Sequence, residues 1–281
     1  MRHKPLISVV TPSFNQVSFI GEAMESVRRQ TGQICEHLVI DGMSTDGTVD
    51  LLRGQPQNTG QNVFWISERD SGQSEALNKG FRRANGEIIG WLNSDDRYRA
   101  NCFDHVVQAF KDNPNVDIIY GDYVMVDEVG KMLKIRREIE FSAFILFYHR
   151  ILYIPTTATF FRRRIFEEGN WLDERLQYAM DLEFFIRLSG RGYRFKHIPQ
   201  LLADFRMQPN SKTCRAPHRQ RMEHRQVVFA AAPIFRRLGS PSSRDLALTL
   251  LRSIACLFRY SEKLLRGYYW EELRPRQLPS A

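Results

Sequence analysis

Two adjacent carboxylates, Asp95 and Asp96, close the segment Asn93-Ser94-Asp95-Asp96, directly after an apolar run at 88–92. Two such groups in one small space repel each other unless water or a cation screens them. A hard divalent cation, Mg2+ or Mn2+, supplies that screening and bridges to phosphate oxygens. The same four residues also suit a solvated acidic turn, with Asp96 capping the segment that follows. Asp41 stands before Gly42 at the end of another apolar run, 37–40, where a turn acid is equally at home. Asp46 reads as a helix cap. Asp70 and Lys79 are spaced either to contact a sugar nucleotide or to pair on a helix face. Asp181 precedes Leu182, Phe184 and Phe185. A carboxylate beside such an apolar surface gains basicity from burial and suits a general base, and it equally suits the N-terminal charge of a helix.

Other chemistries lack their signatures. No GxGxxG follows the first strand, and there is no GxxxxGK[ST], HExxH or GxSxG. The run from Asp41 to Gly47 has Met43 and Thr45 where an EF-hand loop needs oxygen-ligand acids, which excludes that reading. Cys35, Cys102, Cys214 and Cys256 are scattered, without CxxC or zinc-knuckle spacing, and read as reduced thiols of a cytoplasmic protein.

The elements that must position these residues alternate strand and helix. Continuous apolar, β-branched runs at 6–10, 37–40, 63–67 and 87–92 read as buried strands. Helical patterns lie between them, at 19–27 with Gly32 beyond its end, from Thr45 to Leu52, and at 74–85. Such alternation predicts an α/β fold with a mainly parallel sheet, whose ligands bind beyond the carboxyl ends of the strands. The first strand ends at Thr11 to Asn15, and the others end in or before loops bearing Asp41, Asp70 and Asp95-Asp96. Further along, a helix at 103–112, a strand at 118–122, a hairpin turning at Val129-Gly130 and a helix at 181–188 are expected. Residues 141–161 are apolar and aromatic without a clear period. The polar stretch 208–217 marks a boundary between a catalytic domain, 1–213, and a tail, 214–281.

Four ordered blocks resemble the family 2 glycosyltransferases. The run from Ile7 to Asn15, then Ile40 to Thr48, is similar to the family's start, and Ser67 to Gly80 to its next block. Residues 86–96 resemble its DxD-type metal motif, followed by Tyr178-Ala179-Met180-Asp181 and, more weakly, Phe205-Arg206 and Ser211-Lys212-Thr213. The resemblance implies a GT-A fold and transfer of a sugar from a nucleotide-diphosphate donor, usually a UDP-sugar, with inversion, as in surface polysaccharide or glycan assembly. It implies that Thr11 and Asp41 hold the nucleoside, with Phe14 stacking, and that Asp70, Lys79, Asp96 and Arg206 lie along the donor. Asp95 becomes a ligand of Mn2+ or Mg2+, and Asp181 the base that takes the acceptor's proton. Asn93 replaces the first acid of the commoner DxD form, and Gln208 falls near where relatives often carry a metal-binding His.

With 281 residues, 43% hydrophobic and 12% aromatic, the chain has ample material for a core, which excludes disorder and low-complexity fibres. The formal charge of +8 lies wholly in residues 214–281, where 13 Lys and Arg face 5 Asp and Glu. No zinc finger, RNP1 pattern or basic heptad region makes this a nucleic-acid-binding signal. Arg162-Arg163-Arg164 reads either as a phosphate or acceptor contact or as a solvated surface. In the tail, Asp245, Thr249, Arg252, Arg259, Lys263 and Arg266 share one helix face, and leucines occupy much of the remainder. That pattern predicts either a helix on an anionic inner membrane surface, near a lipid-linked acceptor, or one packed on the catalytic domain with its arginines solvated. A non-catalytic sugar-nucleotide binder or scaffold is the remaining alternative.

Overall fold

The computed structural model describes residues 5–30, 35–55, 62–149, 151–208 and 216–269. Gly32, Ser211-Lys212-Thr213 and Cys214 lie outside them. The first half alternates as its sequence predicts: β1 (Ile7–Ser13), α1 (Ile20–Arg28), β2 (Cys35–Asp41), α2 (Thr48–Arg53), β3 (Asn62–Ser67), α3 (Gln73–Arg83) and β4 (Ile88–Trp91). These four strands pair in parallel in the order β3-β2-β1-β4. Every residue of β1, β2 and β4 is buried, as strands covered by helices on both faces must be. The helix α3 lies directly on β1 and β2, because a side chain at Gly80 would run into Val10 and Ile40.

The second half completes a mixed sheet. It comprises β5 (Arg97–Tyr98), α4 (Cys102–Asp112), β6 (Ile118–Val126), β7 (Met132–Arg136), α5 (Ala143–Tyr148), β8 (Thr159–Arg162), α6 (Arg164–Glu167), α7 (Met180–Gly190) and β9 (Phe195–Arg206). Among the described residues the sheet runs β3-β2-β1-β4-β8-β6-β9-β5, with β7 on β6. The strand β8 is antiparallel to both β4 and β6, so β6 and its parallel partner β9 point the same way as β1 to β4. The ends of β1, β2, β3, β4, β6 and β9 therefore meet along one edge. The register of β9 slips beside Gly121 and Asp122, at Pro199, which lacks the N–H a regular ladder needs.

The tail forms α8 (Pro217–Ala231), α9 (Pro233–Arg237) and α10 (Pro241–Leu265). Val227, Val228, Phe235 and Leu248 join the same apolar cluster as Phe161, Phe184 and Phe185 of the sheet and α7. Arg259 and Lys263 of α10 are turned to the protein, not to solvent. Arg259 is 4% exposed and donates to Glu138 at 2.5 Å, and Lys263 donates to the carbonyl of Arg137. The triple arginine is also spoken for. Arg162 donates to the carbonyls of Val116 and Phe110, Arg163 pairs with Glu167, and Arg164 with Asp117. Asp117 and Arg164 line a recess of about 460 Å3 at the edge of the sheet opposite the acid-bearing loops. Cys35, Cys102 and Cys256 are free thiols.

Candidate active site

The strand β2 ends in Asp41, which is fully buried. Its carboxylate accepts from the Ser44 hydroxyl at 2.5 Å, the Ser44 amide at 3.0 Å and the Ser67 hydroxyl at 2.7 Å. These bonds fix its orientation at the mouth of the parallel strands. Asp70 presses on the same loop: a Cβ at Gly42 would stand 2.6 Å from its Oδ2. Burial raises the pKa of Asp70, against the Gly72 amide and the Lys79 charge, which lower it. Asp46 serves as the cap expected of it, accepting from Thr48 N at 3.0 Å and Val17 N at 3.0 Å.

The other residues expected along the donor differ in how free they are. Thr11 is fully buried and its hydroxyl shares a 2.8 Å hydrogen bond with His37, so its side chain faces the sheet interior. Phe14 is 60% exposed at the rim. Lys79 is held by Glu75 at 2.9 Å, Glu68 at 3.1 Å and the Arg69 carbonyl at 3.0 Å. Burial works against its charge, but the two carboxylates outweigh it and the pKa is raised. Arg206 is buried beneath the acidic loop. Its Nε donates to the Asp95 carbonyl at 2.8 Å, Nη1 to the Glu128 carbonyl at 2.5 Å and Nη2 to Glu22 at 2.7 Å. Its backbone amide donates to Asp96 at 2.9 Å. Arg206 thus fastens the end of β9 to the loop after β4.

Asp95 and Asp96 take unequal roles. Asp96 is buried and receives the Asn93 amide at 3.0 Å as well as that of Arg206. Asp95 is half-buried and receives the Gln208 side-chain amide at 2.6 Å. Burial pushes both carboxyls up, and the Asp95 charge pushes Asp96 further. Two neighbouring carboxylates held against ionisation in this way suit a cation, and Asp95 is the more accessible of the pair. Among the described residues no group of three or more His, Cys, Asp or Glu side chains stands together to hold one. Asp95 and, if its amide turned, the side-chain oxygen of Gln208 are the groups here that could hold a hard cation.

Asp181 lies in the first turn of α7, and burial raises its pKa while the nearby His224 lowers it. The start of α7 packs against α3, where Ser74 donates to Met180 Sδ at 3.0 Å. Asn78 donates to the Leu172 carbonyl at 3.0 Å, and Gln177 fills the space over Gly72.

The family model for glycosyl transferase family 2 matches residues 8–169, more than half of the chain and all of the strands that carry Asp41 and Asp95-Asp96. The chain belongs to glycosyl transferase family 2. An uncharacterised glycosyltransferase of Mycobacterium tuberculosis is 31% identical over 192 residues, covering 67% of this chain and 71% of its own. Uncharacterised glycosyltransferases of Rickettsia felis and Rickettsia typhi are 33% and 26% identical, and the match spans only 21% and 61% of their lengths. Residues 1–349 of TarS from S. aureus, solved with UDP-GlcNAc, align with a TM-score of 0.67 at 16% identity, over 87% of this chain and 71% of that one. The mannosyltransferase PcManGT from Pyrobaculum calidifontis, solved with GDP-Man and Mn2+, aligns at 0.63 and 18% identity, over 99% and 78%. These two likenesses establish a shared fold, the GT-A type that the four sequence blocks imply.

Three contributors to the site have no sequence signal of their own. Asn93, in place of the family's commoner acid, accepts from Gln73 at 2.9 Å and Trp91 at 2.9 Å while donating to Asp96. A third carboxylate there would repel Asp96, whereas the amide clips the loop to α3. Glu223 of α8 accepts from the backbone amides of Tyr178 at 2.7 Å and Ala179 at 2.9 Å, tying down the segment that leads into α7 and placing a negative charge near its N-terminal end. His224 follows it, and burial lowers its pKa although the Asp181 charge opposes this. The buried Nε2 of His224 has no hydrogen-bond partner among the described residues. Only the fold reveals that the tail reaches the helix carrying Asp181.

Proposed function

We propose that the chain transfers a sugar from a nucleoside diphosphate donor, a UDP-sugar first among them, to the hydroxyl of a glycan or lipid-linked acceptor, with inversion. One observation supports the reading: the strands ending at Asp41 and before Asp95-Asp96 run to one edge of a family 2 sheet, and Met180 beside Asp181 packs on Ser74 at the start of α3. TarS and PcManGT, solved with UDP-GlcNAc and with GDP-Man and Mn2+, support the donor class and the use of a divalent cation. Asp41, oriented by Ser44 and Ser67, receives the base, and Phe14 offers a ring at the rim for stacking. Asp70 and Asp96 flank the sugar-diphosphate. Arg206 and Lys79 serve this site by holding the acidic loop and the start of α3 in place.

Asp95, with Gln208, would hold Mn2+ or Mg2+, which would supply positive charge to stabilise the departing diphosphate. Asp181 accepts the acceptor's hydroxyl proton as the new C–O bond forms on the face opposite the leaving group. Its raised pKa makes it a stronger base than a solvated aspartate, and transfer rises with pH as the carboxylate form is populated. Residues 1–213 carry this chemistry, and 214–281 brace it through Glu223.

The test is release of nucleoside diphosphate from a panel of nucleotide sugars, with Mn2+ and with a chelator. Turnover of at least one donor, abolished by the chelator, is expected. Thermal stabilisation by a donor without any turnover would instead mark a sugar-nucleotide binder.

A further inference from the structure

The helix α10 is amphipathic in an unusual sense, because its charges face the protein and its leucines face outward. At 25 residues it extends about 37 Å. Its inner side carries Leu248, Ala255 and Arg259, each under 5% exposed. All its charged residues fall on that side or its margins and are engaged there. Arg244 donates to the Leu238 carbonyl, Asp245 pairs with Arg225, and Arg252 lies beside His224. Arg259 pairs with Glu138, Glu262 accepts from the Glu140 amide, and Lys263 caps the Arg137 carbonyl. Leu246, Leu250, Ile254, Leu257, Leu264 and Leu265 form the outer side, between 42% and 87% exposed. At 100° per residue they spread over more than a quarter of the circumference, and the serines between them there, Ser243 and Ser261, are uncharged. A contiguous apolar face of this length in water marks a contact surface.

We infer that this outer face of α10 rests on an anionic lipid surface, with its leucines among the headgroups and upper acyl chains. The tail's charge selects that occupant. Residues 214–281 carry the chain's entire excess of +8, so two tails repel each other while an anionic surface attracts them. Arg219 and Arg221 of α8 are exposed and available to headgroups. The sequence after the helix reads Tyr268-Tyr269-Trp270, the residue types that settle at a membrane–water boundary. No described helix is long and apolar enough to cross a membrane, so α10 lies on the surface instead of spanning it. The contact differs from a basic-face model: the leucines insert, and the cations of α10 itself hold the helix to Glu138.

The experiment is flotation of the full chain with vesicles of phosphatidylcholine alone and of phosphatidylcholine with phosphatidylglycerol. The test variant carries Leu250→Glu and Leu257→Glu, both on the exposed side, and donor turnover in solution serves as the folding control. The wild type should float with the anionic vesicles, and the variant about tenfold less, at unchanged turnover. Equal flotation of the two proteins would overturn the inference. So would a wild-type dimer in light scattering that the variant converts to monomer without any vesicle binding, since a second copy would then own the face. Donor turnover can fail without affecting flotation, so this result stands apart from the assigned reaction.

Discussion

The loop after β2 shows how closely single residues are fitted to the proposed donor site. Asp41 and Asp70 approach each other only because position 42 has no side chain, with 2.6 Å left between an added Cβ and Asp70. Gly42→Ala is expected to displace Asp70 at a cost of about 1–3 kcal/mol. The thermal shift produced by a nucleotide sugar should shrink accordingly, while the unliganded fold melts cooperatively. An unchanged donor-induced shift would remove Asp70 from the donor site. At this scale the acids were legible, since each ends or follows an apolar strand. Their partners were not. Asn93 looked like a lost ligand, and only its three hydrogen bonds show it acting as a clip. The resemblance set Arg206 along the donor, but not its guanidinium's hydrogen bonds to Asp95, Glu128 and Glu22, which only the fold shows.

Among elements, α7 depends most on distant chain. The amides of Tyr178 and Ala179, just ahead of its first turn, are held by Glu223, which is more than 40 residues away in sequence and on another helix. Glu223→Ala should cost about 1–3 kcal/mol of stability, the usual range for hydrogen bonds to a charged group. It should also depress kcat more than donor affinity, because Asp181 loses its fixed position. Glu223→Gln keeps an acceptor oxygen and should recover most of the loss. Equal kcat in all three proteins would mean that this tie does not serve the reaction. The strands β1 to β4 and their helices were readable because buried parallel strands are continuous apolar runs bounded by turn residues. The strands β5, β8 and β9 were not. A two-residue strand leaves no period, β8 sits within an apolar stretch of ambiguous pattern, and Pro199 interrupts β9.

At the scale of the whole molecule, the tail is fastened by buried charge. Glu138 is fully buried with Arg259 beside it, and Lys263 lies close enough that burial brings its pKa down to about 8 despite the carboxylate's opposing pull. Removing one member of such a cluster strands the others. Glu138→Ala should therefore destabilise the protein by about 3–5 kcal/mol in chemical unfolding. Proteolysis should then begin between α9 and α10. Wild-type resistance in the variant would show that apolar contacts alone hold the tail. The amphipathic pattern of α10 was legible, but amphipathicity does not say which side turns inward. A buried acid at position 138, far off in sequence, settles that choice by making the basic side the inner one.

The central claim is that Asp181 is the base of a nucleotide-sugar transfer. Its direct test compares wild type and Asp181→Asn for sugar transfer to acceptor and for donor binding, using the donor that the panel identifies. Transfer should fall about 100-fold or more while the donor-induced thermal shift persists. Wild-type transfer should also climb with pH through the raised pKa of Asp181, as the base form replaces the protonated one. Equal transfer rates in the two proteins would contradict the assignment.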